Sequence, residues 1–220
     1  MELTRTQAEA LAAAVPRSGG WKAGMWQFEA GGRPLIVKDV RYAAPLYRYT
    51  IGQFLLAREL RIYRHIRSLS FIAPLVARID RDAAAWERID AQPVNSVPPP
   101  LVDERFAARL EECVRALHRA GVVHLDLRHL KNILMTPAGD PILIDFESAL
   151  YLGTGWLGQR VLIPLLAGID LSAVDKMSVQ YLGDRVPDTV RRRHERFTRL
   201  RRALWPFGRL WPPPFLRRRR

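Results

Sequence analysis

The chain has 220 residues, 48% of them hydrophobic and 26% charged, and a formal net charge of +13. That apolar share is enough to bury one compact domain or two small lobes, which excludes a chain disordered throughout. The charge is local: residues 191–220 hold twelve Arg against one Glu, so residues 1–190 carry only +2 and the basicity belongs to the tail.

At the N-terminus, MELTRTQAEALAAAV lacks a basic start followed by an unbroken apolar core, because Glu2 and Glu9 interrupt it. It predicts a helix over residues 4–14 and no signal peptide. A small sheet follows to about residue 39, with Trp26-Gln27-Phe28 and Leu35-Ile36-Val37 as its clearest strands and Gly31-Gly32 as the turn between them. A long helix over residues 49–66 carries Glu59, and strands over 75–79 and 84–88 are joined by Asp80-Arg81-Asp82. Residues 94–100, with Asn95, Ser96 and three prolines, read as a linker between lobes. Val102, Phe106, Leu110, Cys113, Val114 and Leu117 recur at spacings of three and four, which marks a helix buried on one face. The lone Cys113 lies in that stripe, so a packing role and a reducing compartment follow. The apolar run 161–169 is too short to span a bilayer and is bounded by Arg160 and Asp170.

Residues 121–149, GVVHLDLRHLKNILMTPAGDPILIDFESA, carry the chemistry. The apolar runs Ile133-Leu134-Met135 and Ile142-Leu143-Ile144 flank a Pro-Ala-Gly-Asp-Pro turn, so a hairpin brings Asp126, Asn132 and Asp145 to one edge. Asp126 lies between leucines and Asp145 after Ile-Leu-Ile. An unpaired carboxylate buried in such surroundings costs several kcal/mol, so a polar site must receive each. One Asp can then orient a hydroxyl nucleophile while the Asn and the other Asp hold Mg²⁺ on a nucleotide's phosphates, as phosphoryl transfer from ATP requires.

The segment resembles the protein-kinase-like superfamily, most of all small bacterial kinases of the lipopolysaccharide-core sugar kinase and RIO-type groups. His124-Leu125-Asp126 looks like that family's His-Arg-Asp, and Asp145-Phe146-Glu147 like its Asp-Phe-Gly. Leu35-Ile36-Val37-Lys38 is similar to the strand that presents the phosphate-binding lysine, Glu59 to its helical partner, and Ala85-Trp86-Glu87-Arg88-Ile89 to the hinge. The resemblance implies an α+β, two-lobed fold: an N-lobe over residues 1–92 with a small antiparallel sheet, a reduced, mainly helical C-lobe over 93–190, and a basic aromatic tail over 191–220. It implies ATP with its adenine at the backbone near Glu87 and Ile89, Lys38 on the phosphates and Glu59 steadying Lys38. Mg²⁺ falls to Asp145 and Asn132, the acceptor hydroxyl to Asp126, and developing charge to Arg128 or Lys131.

The sequence also departs from the family. No Gly-x-Gly-x-x-Gly precedes Lys38, and Asn132 follows Asp126 by six positions instead of five. Leu125 replaces the Arg that reads a phosphorylated activation loop, so control by that route is not expected. Glu147 replaces Gly, as in small-molecule kinases of the choline and aminoglycoside types. Glu59 lies among Arg58, Arg61 and Arg64, which leaves a surface ion pair as its other reading. Few residues follow Asp145 before the tail, and no Ala-Pro-Glu motif is visible, so a sugar or glycolipid such as a lipopolysaccharide core is the first expectation for the acceptor and a protein Ser/Thr the second. Arg beside Trp and Phe in the tail suits an anionic membrane surface, with Pro206 and Pro212-Pro213-Pro214 expected to prevent a continuous helix. Val190, Phe197, Leu200 and Leu204 recur at helical spacing, which leaves packing on the domain open for its first half. The expected location is the cytoplasm, with the tail at the inner face of its membrane. Two rival readings stand beside this one: a nucleotide-binding pseudokinase without transfer, and a nucleic-acid-binding module using the tail.

Overall fold

A computed structural model describes residues 4–12 and 23–208, with side chains through residue 199. The first helix, α1 (Arg5–Leu11), starts at Thr4, whose hydroxyl accepts from the Gln7 N–H while the Gln7 side chain caps the Thr4 N–H. It ends at Ala12, short of the expected residue 14. Four antiparallel strands follow as one sheet in the order β1-β2-β4-β3: β1 (Gly24–Ala30), β2 (Arg33–Asp39), β3 (Leu75–Arg78) and β4 (Ala83–Glu87). Gly31 and Gly32, at φ +59° and +70°, make the tight β1–β2 turn, which needs two left-handed residues in succession.

The two faces of this sheet do different work because side chains alternate along a strand. Leu35 and Val37 of β2 join Trp26, Phe28, Ala83 and Ala85 in a small core closed by Ala8 of α1. Ile36 and Lys38 therefore point to the opposite face. Arg5 holds α1 in place, its Nε donating to Asp80 Oδ2 at 2.6 Å and its Nη1 to Asp39 Oδ2 at 2.5 Å. Between β2 and β3 lie a short helix α2 (Pro45–Tyr47), a π-turn over Arg48–Gly52 and α3 (Gln53–Ile66), where one long helix was expected. Leu56, Glu59, Leu60, Ile62, Tyr63 and Ile66 form the buried face of α3.

The C-lobe begins with β5 (Gln92–Pro93) and two short 3-10 turns in which Val94 and Val97 are buried. Tyr181 Oη donates to Val94 O at 2.8 Å, which ties the expected linker to the helical lobe. The main helix of this part, α4 (Glu104–Arg119), is capped by Asp103, whose carboxylate accepts from Phe106 N–H at 2.8 Å. It buries Phe106, Leu110, Val114 and Leu117, while Cys113 sits half-buried at the edge of the stripe with its thiol pushed up to about 11 by burial. Then come β6 (Val122–Val123), β7 (Ile133–Met135), β8 (Pro141–Leu143) and β9 (Leu150–Tyr151), with β7 and β8 forming the expected hairpin and β6 pairing with β9.

Two helices complete the lobe, α5 (Ile163–Leu182) and α6 (Asp188–Gly208). The first part of the basic segment is thus helical and packed: Arg193 makes a two-pronged ion pair with buried Asp175 at 2.7 and 2.6 Å. The helix continues through Pro206, contrary to the expected break. Pro206 lies two residues before the last residue of α6, so the backbone hydrogen bond that its missing N–H forfeits belongs to the final described turn. Residues 209–220, with the triple proline, lie outside the described residues, and no described helix is long and apolar enough to cross a membrane.

Gly121 sets the approach to the catalytic segment. It has φ +82°, and a Cβ there would lie 2.8 Å from Gly153 O. Gly121→Ala should therefore lose ~2 kcal/mol, the usual range for forcing a side chain into that region. Thermal unfolding followed by circular dichroism should show a drop of about 4–8 °C for a chain of this size.

Candidate active site

A cavity of about 310 Å³ lies between the lobes. Met25, Ile36 and Lys38 line it from the sheet, Tyr63 and Trp86 from its inner wall, and Lys131, Asn132, Ile144, Asp145 and Glu147 from the C-lobe. Lys38 reaches it because β2 alternates, and it carries its charge into a buried cluster. Its Nζ donates to Glu59 Oε2 at 2.8 Å, Asp145 Oδ1 at 3.2 Å and Glu147 Oε2 at 3.4 Å. Burial acts to lower the Lys38 pKa, but the three carboxylates outweigh it and hold the ammonium charged well above the ordinary lysine range. For Asp145 burial acts upward, and Lys38 reverses it to leave that carboxylate below its ordinary range.

Glu59 is not a surface residue. It is buried, its other oxygen accepts from Phe146 N–H at 3.0 Å, and burial drives its pKa up against the pull of Lys38. One side chain of α3 thus holds both the lysine and the backbone next to Asp145. Glu147 is fixed as well: Tyr47 Oη donates to its Oε1 at 2.8 Å and Arg58 donates to its backbone carbonyl.

Asp126 and Asn132 meet despite the longer loop. Asn132 is buried, and its Nδ2 donates to Asp126 Oδ2 at 2.9 Å and to Asp126 O at 3.1 Å. The extra residue is taken up in turns, with His129 N–H donating to Asp126 O and Asn132 N–H to His129 O. With Nδ2 committed, the amide oxygen of Asn132 is its atom left for a cation. Asp126 Oδ1 lies 2.5 Å from Nδ1 of the exposed His129.

The loop before Asp126 hangs on a carboxylate that the sequence reading passed over. Buried Asp170 of α5 accepts from His124 N–H and Leu125 N–H, both at 2.7 Å, and lies 3.0 Å from His118 Nε2. The only signal for it was an Asp bounding an apolar run, and two of its three partners are main-chain groups. Buried His124 spans the gap to the other loop, with Nε2 3.0 Å from Ile144 O, and burial holds its pKa down. Leu125 and Asp145, both at φ +65°, are the left-handed non-glycine residues among the described ones. Strain of this kind persists where surrounding bonds dictate the backbone, and here it flanks the cavity on both loops.

Other expected site residues lie elsewhere. Arg128 turns away from the cavity: its Nη1 donates to Ser172 Oγ at 2.9 Å and to Ser172 O at 3.1 Å, and the guanidinium stacks over Phe197 at 5.2 Å. Glu87 and Ile89 are not among the lining residues. Trp86 is, and the Glu87 N–H is taken by Pro74 O at 2.9 Å.

No protein-family model matches the sequence. Over 132 residues the chain is 26% identical to a probable bifunctional tRNA threonylcarbamoyladenosine biosynthesis protein of Methanothermobacter thermautotrophicus, a match covering 58% of this chain and 24% of that protein. The chain thus spans about a quarter of its curated relative. Among solved structures it is similar to the Rio2 kinase of Chaetomium thermophilum, with a TM-score of 0.58 and 15% identity over 80% of this chain and 60% of that one. The fold is protein-kinase-like, two-lobed, with a small antiparallel sheet and a helical part.

The cluster makes an electrostatic prediction. Lys38→Met leaves Glu59 buried without its cation, at a cost of ~3 kcal/mol near neutral pH. A carboxylate whose folded pKa is raised adds stability below its unfolded pKa and loses it as pH rises, so the variant should recover part of the deficit on acidification toward pH ~5. In the native protein Lys38 opposes the same upward push on Glu59, so its gain over that interval should be smaller. Urea unfolding at the two pH values checks both.

Proposed function

We propose that this chain is an ATP-dependent phosphotransferase that moves the γ-phosphate of Mg-ATP to a hydroxyl acceptor. The observation that carries the reading is that Lys38, Asn132 and Asp145 line one cavity between two lobes, with Asp126 held beside it by Asn132. In this reading Ile36, Tyr63 and Trp86 provide apolar surface for the adenine. Lys38, held by Glu59, neutralises the phosphates. The Asp145 carboxylate and the Asn132 amide oxygen are hard oxygen donors suited to Mg²⁺. Bound there, Mg²⁺ would offset charge on the phosphate oxygens.

Asp126 then orients the acceptor hydroxyl and takes its proton. Asn132 fixes the carboxylate from one side and His129 from the other. Lys131, which lines the cavity, is the cation placed to meet charge developing on the transferred group. Arg128 serves the loop instead, pinning it to α5 and α6.

The acceptor is compact in this reading. After Phe146–Ser148 the described chain makes β9, a loop and a helical turn over Gly158–Leu162 that runs directly into α5, so no separate helical platform for a folded peptide substrate stands between them among the described residues. A sugar or glycolipid hydroxyl, as in a lipopolysaccharide core, fits that opening. A protein Ser/Thr is the second choice, supported by the likeness to a RIO kinase. A pseudokinase would bind nucleotide through the same cavity without transfer, and the presence of Lys38, Asp126 and Asp145 together favours the enzyme.

Incubating the protein with labelled ATP, Mg²⁺ and either a lipid extract or a protein mixture should label one acceptor class. Asp126→Asn should lower transfer by at least about a hundredfold, the usual share of a general base, with nucleotide affinity nearly kept. Asp145→Asn should abolish transfer and also weaken Mg-ATP binding. Transfer within about tenfold of the native rate in either variant would refute the assignment.

A further inference from the structure

The helical turn over Gly158–Leu162, the two residues before it and the first turn of α5 present an apolar surface that the catalytic reading does not use. Trp156 is 73% exposed, Leu157 57%, Val161 36% and Leu165 72%, with exposed Arg160 among them. Leu157, Val161 and Leu165 recur every four residues, which aligns them along one side of a helical stretch. The surface is rigid. Gly158 packs so closely that a Cβ would lie 2.4 Å from the carbonyls of Leu152 and Gly153, and Gln159 Nε2 donates to the carbonyls of His118 and Arg119 at 3.2 Å. A contiguous apolar group held out from a firm backbone marks a place where a partner is met.

The neighbouring charge identifies the partner. Helix α6 runs antiparallel to α5. Arg191 bonds to Gly183 O, Arg193 pairs with Asp175, and Phe197 shares Arg128 with Ser172, so the contact on α5 retreats as α6 advances. Both helices rise by about 1.5 Å per residue, which brings the end of α6 level with about residue 161 of α5, beside the apolar group. Along α6 the described Arg192, Arg196 and Arg199 are exposed, and residues 201–220 add seven more Arg and no acidic residue.

We infer that this end of the C-lobe docks on an anionic lipid surface. Trp156, Leu157, Val161 and Leu165 enter the headgroup boundary, and Arg192, Arg196 and Arg199 of α6 meet lipid phosphates. Interfacial association combines these two contributions, buried apolar area and attraction to anionic lipid. A nucleic acid would use the arginines and gain stacking on Trp156, but Leu157, Val161 and Leu165 offer it nothing to stack on. The inference does not depend on phosphotransfer, because lipid binding is read without nucleotide.

Sedimentation with vesicles of phosphatidylcholine alone, or with about a third phosphatidylglycerol, tests it on the full chain. Binding should require the anionic lipid and weaken as salt rises. The double variant Trp156→Ser with Leu165→Ser should lose at least about tenfold in vesicle affinity at unchanged Tm, since both side chains face solvent. Arg196→Gln with Arg199→Gln should reduce the salt dependence. Unaltered vesicle binding by the first pair would overturn the inference. So would a lowered Tm, which would mean that the chain's own terminal residues cover the surface. Duplex DNA binding as tight as vesicle binding, and retained by the Trp156/Leu165 variant, would assign the face to nucleic acid instead.

Discussion

One buried ammonium organises this molecule. Lys38 comes from the sheet, Glu59 from α3, and Asp145 and Glu147 from the loop after β8, so a single cation joins three separately folded parts. Removing four charged groups from water is expensive, and the cost is offset only because the groups are paired and hydrogen-bonded. The balance is uneven: three carboxylates face one ammonium. That leaves a surplus of negative charge at one wall of the cavity. The cluster is thus both the seam between the lobes and the electrostatic floor of the cavity.

A second carboxylate supports the other side by a different device. The Asp170 oxygens are satisfied by two main-chain N–H groups and by His118. Charged acceptors of this sort make stronger hydrogen bonds than neutral ones, and in a buried setting they also dictate backbone shape. Leu125 sits in the left-handed region between those bonds and Asp126, so a carboxylate on α5 determines where the candidate base points. His124 passes the constraint on to Ile144 O, one residue before Asp145. The two loops that carry the chemistry are therefore set by side chains that do not touch the cavity contents.

This difference explains what could be read from the chain. Lys38, Asp126, Asn132 and Asp145 stand in local patterns of strand, turn and apolar run that betray a polar residue where none belongs. Glu59 is harder, because Arg58, Arg61 and Arg64 surround it in sequence, and only the rotation of α3 by Leu56, Ile62, Tyr63 and Ile66 turns it inward. Asp170 could not be paired from sequence: two of its partners are backbone groups more than forty residues away, which carry no side-chain signature, and the third, His118, stands in a helix with no pattern that points to it. Arg128 misled for the opposite reason. Its position two after Asp126 matches a phosphate contact in related enzymes, but Ser172 and Phe197 lie close enough to capture it. In the tail, the helical spacing of Val190 and Phe197 foretold a packed helix, and the penalty assigned to Pro206 was too large for a position so near the helix end.

The placement of Asp170 also limits how the C-lobe can meet a surface. Leu165 and Asp170 are five residues apart on one unbroken helix, an axial separation of about 8 Å. Whatever the exposed start of α5 rests on is therefore fixed at short range relative to His124 and Leu125, without a flexible joint between them. Arg128 strengthens the same link by fastening the catalytic loop to Ser172 and to α6. A kinase-like protein with a large C-lobe orients its acceptor through added helices. Here those helices are absent among the described residues, and α5 is left to serve as brace for the loop and as outer face of the molecule together. An acceptor presented at that face would meet Asp126 with its orientation already limited by the surface, which reduces the positioning the protein itself must supply.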